Sequence, residues 1–393
     1  MLSMLPSGML ACLQTPSKPP KVHSAFLRAA VLSLAVLATL ADGKALEKRS
    51  TLLETSANGT QFIWTIQDTY AGKTFFDTFD FFTGKDPTNG RVNYTDRDTA
   101  FAKNLAFVEP DGTVIMKGDN TTWLGPDVYR NSVRISSRQQ YNTGLFILDL
   151  NKAPWGCGVW PAWWTLGSGQ WPLTGEIDIF EGVHDNEHNQ VTWHTGPNCT
   201  LTPNDQYTGS LVVGGSGQPN LICDGNIPGN AGCGITEWSR ASYGPSFDAQ
   251  GGGVFAMKWD DTGIAVWSFY RAAVPKDIQN GQPAPSTWGR PVAVLLPTAC
   301  DPIANFINHS IIFDITFCGD WAGNSYATSG CPGTCPDRLI DPSNFDEAWW
   351  SINWMKVYKR QPILTQTDDA RYNHVTKMVP YVAIFSMAAL IWL

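Results

Sequence analysis

The sequence predicts an all-β fold, a single sandwich of many antiparallel strands, and three observations carry that reading. Short runs rich in β-branched and aromatic residues recur from about residue 50 to 360, and several alternate apolar with polar positions, as half-buried strands do. Gly, Asn, Asp and Pro fall between the runs, and the 393-residue chain holds 36 Gly, 26 Pro and 17 Trp but only 16% charged residues. No linker, repeat or low-complexity block interrupts the stretch, so residues 50–362 read as one domain.

The elements follow in chain order. Residues 1–49 read as a leader: the apolar run over 29–41 follows Arg28 and ends in small residues, as a signal peptide does. The long segment ahead of that run also suits a signal anchor, and Lys48-Arg49 is a candidate dibasic processing site. Within the domain the predicted strands are "TQFIWTI", "GTVIMKG", "SVRISSR", "GLFILDL", "GEIDIFE", "VTWHT", "GVFAMKWD", "GIAVWSFYR", "SIIFDITF" and "INWMKVYKR". Asp111-Gly112 and Asp261-Thr262-Gly263 are hairpin-turn signals between neighbouring runs. Long loops over 197–250 and 271–303 need pinning. Residues 363–393 are a polar spacer followed by the apolar "MVPYVAIFSMAALIWL", which suits a glycolipid-anchor (GPI) signal or, alternatively, a simple membrane tail.

Cys12 lies in the leader, and eight cysteines remain: Cys157, Cys199, Cys223, Cys233, Cys300, Cys318, Cys331 and Cys335. An even number behind a secretory leader reads as disulfides of open connectivity. Cys331-x-x-x-Cys335 lacks a companion Cys/His pair at zinc-ligand spacing, so disulfides are preferred there too. Sequons at Asn58, Asn93, Asn120, Asn198 and Asn308 agree with passage through the secretory route to the cell surface, cell wall or medium. The net charge of −8, with no basic stripe, argues against nucleic acid as a partner and fits a secreted protein acting on a neutral substrate; a monomer is expected.

The chemistry concentrates in "GEIDIFEG", residues 175–182. On a flat strand Glu176 and Asp178 share a face, whereas Glu181, five positions after Glu176, belongs to the other. Glycoside hydrolysis with retention needs two carboxyl groups about 5–5.5 Å apart. Residues i and i+4 on a flat strand are roughly 13 Å apart, too far. A β-bulge resolves both difficulties, because its extra residue restores phase and its kink draws the ends together. Ile177, Ile179 and Phe180 are then left to pack inside the sandwich. The plainer reading is a strand with a solvated or calcium-binding acidic face. Trp160, Trp163, Trp164 and Trp171, immediately upstream, weigh against it, since aromatic rings suit the C–H faces of sugars. For Trp163 alone, core packing is the better reading.

These segments, together with "FDTFDFFTGKDPTNGRVNYT", "SVRISSRQQYNTGLFILDL", "GCGVWPAWW", "GEIDIFEGVHDNEHNQVTWHTG" and "FCGDWAGN", resemble glycoside hydrolase family 16, in particular its fungal laminarinase-like endo-1,3(4)-β-glucanases. The resemblance implies a concanavalin A-like jelly-roll sandwich with β-glucan lying in a cleft on the concave face. It implies Glu176 as nucleophile, Glu181 as acid/base and Asp178 as the neighbour that tunes them; from its place between the two, Asp178 can hydrogen-bond Glu176 and hold its orientation and protonation state. It also implies Trp160, Trp164, Trp171, His194, Trp321 and Arg134 as substrate contacts. No cofactor is expected to be required, and a structural calcium is not readable from the chain. His184, Glu187 and His188 read as a polar loop capping the strand rather than a metal site. Asn93 falls in a stretch similar to a cleft loop. Two alternatives stand beside hydrolysis: a cell-wall transglycosylase, although relatives of that kind carry the contracted E-x-D-x-E spacing, and a non-catalytic β-glucan-binding protein, although such relatives lack the glutamates.

Overall fold

The computed structural model describes residues 53–56 and 58–363; the predicted leader at 1–49 and the apolar tail at 378–393 lie outside the described residues. All ten predicted runs are strands. Among the described residues they and nine further strands build a nine-stranded and an eight-stranded antiparallel sheet, plus a small two-stranded parallel ladder between Val92–Tyr94 and Arg130–Ser132. The eight-stranded sheet runs Ser210–Leu211, Cys233–Thr236, Gln190–His194, Glu176–Glu181, Val159–Gly167, His309–Phe317, Arg134–Tyr141, Phe79–Phe81. The acidic strand is therefore interior, with neighbours on both sides.

Each hairpin signal closes a pair. Asp111-Gly112 joins Ala106–Val108 to Val114–Lys117, and Asp261-Thr262 joins Gly253–Asp260 to Gly263–Tyr270. Strand Trp349–Pro362 is central to the nine-stranded sheet, pairing with Gln61–Tyr70, Gly144–Lys152 and Val114–Lys117.

Alternating side chains from both sheets meet in one core. Trp163, Trp193, Trp259 and Trp350 are fully buried there, as core packing requires of Trp163. Phe180 of the acidic strand reaches across the sandwich, its ring centroid 4.9 Å from Phe255 and 5.4 Å from Trp350, both edge-on. Burying a side chain of this size contributes about 2–3 kcal/mol, so the apolar half of "EIDIFE" fixes the acidic half on the opposite face.

The eight cysteines form Cys157–Cys331, Cys199–Cys300, Cys223–Cys233 and Cys318–Cys335. Cys199–Cys300 ties the end of one long loop to the other, and Cys223–Cys233 closes a turn within the first. Cys331 and Cys335 bond to different partners.

Candidate active site

The predicted bulge is present. Strand Glu176–Glu181 faces Val159–Gly167 with Asp178 opposite Trp164 but Phe180 opposite Trp163, so Ile179 is the additional residue. Ile177, Ile179 and Phe180 are buried in the core, while Glu176, Asp178 and Glu181 line a groove of about 830 Å³ on the other face. That groove crosses five adjacent strands. Arg134, Asp314, Trp164, Asp178 and His194 supply one floor position from each in turn.

Two indoles hold the outer glutamates. Trp171 Nε1 donates to Glu176 Oε2 at 2.9 Å, and Trp160 Nε1 donates to Glu181 Oε1 at 2.7 Å. Trp321 stands edge-on to Trp160 at 5.9 Å between centroids. It is set there by a tight turn over Gly319–Gly323, entered through Cys318 and Gly319 at φ 58° and 75°. A Cβ on Gly319 would sit 2.8 Å from the Thr88 carbonyl oxygen, so the turn demands glycine. On the floor, the Arg134 guanidinium lies between Phe82 and Trp164, 4.7 and 4.9 Å from the two ring centroids.

Asp178 and Glu176 both face His194, and the three groups lie within 4.8 Å of one another. His194 Nε2 lies 3.4 Å from Asp178 Oδ2 and 3.7 Å from Glu176 Oε1. Two buried carboxylates repel, and a protonated imidazole beside both relieves that repulsion. Burial pulls the His194 pKa down, but the Asp178 and Glu176 carboxylates outweigh it and the net shift is upward. Burial, then the Asp178 charge, push Glu176 up to about 7, while His194 and the Trp171 N–H act in the opposite direction. Glu181 is raised well above the usual carboxylate range, by burial first and Asp178 second. Both glutamates are thus raised above the usual carboxylate range, and both feel the Asp178 charge.

Glu176, Asp178 and His194 each offer a ligand atom within 4.8 Å of the others. His184, Glu187 and His188 do not converge. His184 Nδ1 accepts from the Gly158 N–H and its Nε2 donates to Ser325 Oγ, which in turn donates to the Trp321 carbonyl. Glu187 forks onto Arg240, and His188 Nδ1 donates to the Glu237 carbonyl. Asn93 is exposed, donates to Asn131 at 2.6 Å and does not line the groove.

Three residues of the site escaped the sequence reading. Asp314 lines the floor, ladder-paired with Arg134 and raised to about 7, chiefly by burial. Asp86 lines the rim and accepts from the Gly90 N–H at 2.7 Å. Asn189 lies behind the bulge, fully buried. The visible signal was an acidic residue inside an otherwise apolar run for Asp314; the other two sit in polar loops that carry none.

Residues 79–358 match the family described as XgeA-like, catalytic GH16 domain. The chain belongs to glycoside hydrolase family 16. Among curated relatives of this family 16 chain, a probable glycosidase of Schizosaccharomyces pombe is 44% identical over 292 residues, 74% of this chain and 68% of that protein. A probable endo-1,3(4)-β-glucanase of Aspergillus niger is 40% identical over 305 residues, but the match spans 74% of this chain and only 39% of that protein. Among solved structures, Laminarinase 16A from Phanerochaete chrysosporium, described with 6-O-glucosyl-laminaritriose in both donor and acceptor sites, is 43% identical with a TM-score of 0.70. It covers 75% of this chain and 99% of that one. An elongating family 16 β-1,3-glucosyltransferase is 40% identical with the same TM-score of 0.70, over 75% of this chain and 100% of that one. These relatives share the jelly-roll sandwich.

Proposed function

We propose that this family 16 domain is an endo-1,3(4)-β-glucanase that cleaves β-1,3 or mixed β-1,3/1,4-glucan with retention of configuration. The observation that carries the reading is the bulge at Ile179, which brings Glu176 and Glu181 onto one groove face. The Glu176 carboxylate attacks the anomeric carbon while Glu181 gives its proton to the departing glycosidic oxygen, leaving a glycosyl ester on Glu176. Glu181, now ionised, removes a proton from water, which opens the ester and restores both groups. Both carboxyls are raised, so the pair can hold one proton near neutral pH, as a nucleophile and an acid working together require. Asp178 and His194 tune Glu176, and Trp160, Trp164, Trp171, Trp321 and Arg134 offer rings and a cation to the sugar chain. The reaction needs no cofactor.

Digestion of laminarin, mixed-linkage glucan and a plain β-1,4-glucan, followed by NMR of the first-formed anomer, tests the reading. Shorter β-anomeric products from the first two substrates are expected; an initial α-anomer from them, or no cleavage, overturns it. Similarity to the elongating glucosyltransferase keeps transfer as a second reading, which products longer than the substrate would reveal. The apolar run at 29–41, the sequons and the tail at 378–393 support a secreted, surface-anchored glycoprotein. Release from membranes by a phosphatidylinositol-specific phospholipase tests the anchor.

A further inference from the structure

We infer that Asn189 is a positioning residue for Glu181, its side-chain amide standing in for the strand partner that the bulge removes. This rests on the acid/base reading of Glu181 above.

The acidic strand pairs with Gln190–His194 only through Glu176↔His194, Ile177↔Trp193 and Asp178↔Thr192. Continued without interruption, that register would bring Glu181 opposite Asn189. The ladder stops at Asp178 instead, since Ile179 is the extra residue, and two main-chain groups lose their partners in a buried place. Asn189 supplies both. Its Oδ1 accepts from the Glu181 N–H at 2.8 Å, and its Nδ2 donates to the Ile179 carbonyl at 3.0 Å. A primary amide offers one donor and one acceptor a peptide bond's width apart, so it completes the ladder across the gap.

The clamp is itself held. Asn189 is 0% exposed, its own N–H donates to Ser242 Oγ at 2.9 Å, and its carbonyl accepts from the Glu237 N–H at 2.8 Å. Glu181 is thereby fixed at two points, its main chain by Asn189 and its carboxyl by Trp160. Asp would keep the acceptor but turn a carboxylate oxygen on the Ile179 carbonyl; Ser reaches only one side. Displacing a proton donor by about 1 Å costs on the order of 10²-fold in rate.

The test separates Glu181 positioning from general damage through leaving-group dependence. The Asn189→Asp and Asn189→Ser variants are assayed for kcat/KM on laminarin and on a 2,4-dinitrophenyl β-laminaribioside, whose leaving group needs no proton. Both rates come from one preparation, so their ratio is unaffected by any misfolded fraction. Expected is a loss of about 30- to 100-fold on laminarin and less than about 3-fold on the aryl glycoside. Glu181→Ala is run alongside. If it shows the leaving-group dependence and the Asn189 variants lose rate equally on both substrates, or on neither, the Asn189 inference alone is overturned. If Glu181→Ala itself loses rate equally on both, the acid/base reading falls and takes this inference with it.

Discussion

The indole N–H of Trp171 is bonded to Oε2 of Glu176 at 2.9 Å, although the ring is 47% exposed and free to meet a sugar. One side chain therefore serves as an apolar wall and as a donor that favours the ionised carboxylate. Trp171→Phe keeps the wall and removes the donor. Glu176 then ionises at higher pH, and the acid limb of the kcat/KM profile on laminarin moves up by about half a unit to one unit. An unmoved limb would show that the bond does not reach the chemistry.

Glu176→Gln and Glu181→Gln each keep an oxygen for their indole partner, so the fold and groove persist. Hydrolysis of laminarin falls by about 10³-fold or more in each. Circular dichroism and the unfolding temperature stay near wild type. Undiminished activity in either variant would sink the assignment.

Asp178→Asn removes a negative charge that raises both glutamates. Both limbs of the pH profile shift to lower pH, because each carboxyl then gives up its proton more readily. The two limbs belong to the pair rather than to single residues, so the diagnostic result is that they move together. A shift of one limb only would contradict the shared influence.

Glu237 is a buried carboxyl away from the groove. Oε1 accepts from Ser268 Oγ, Oε2 has no partner among the described residues, and burial pushes its pKa from 4.5 up to about 7. The folded chain holds this proton more tightly than the unfolded chain. Stability from it is complete below about pH 4.5 and is lost as pH rises through about 7. Glu237→Gln escapes that loss of about 1–3 kcal/mol. Its melting temperature should exceed wild type by a few degrees at pH 8 and show no gain at pH 4; an equal difference at both values would refute the assignment.

Much of this was legible in the chain because it is periodic. The strands follow from alternation, and the bulge follows from one acid out of phase in "EIDIFE". The dual use of Trp160 and Trp171 was not legible: which way an indole N–H points depends on where the bulge delivers the glutamates. Disulfide pairing was equally closed, since Cys157 and Cys331 are 174 positions apart. Asp314 hid because its ladder partner Arg134 lies on a strand distant in sequence, and only the sheet brings the two side by side on the groove floor. Asn189 hid because a lone amide before a strand carries no period at all.

The extra residue at 179 is worth one codon. Losing it in frame would leave Glu-Ile-Asp-Phe-Glu, the contracted spacing, with both glutamates still on one face of an unbroken pleat. Nothing would then need Asn189 to bridge the ladder, and its amide would be freed to drift under mutation. The two spacings are thus neighbours in genetic distance, and position 189 should record which side of that single step a given lineage has taken.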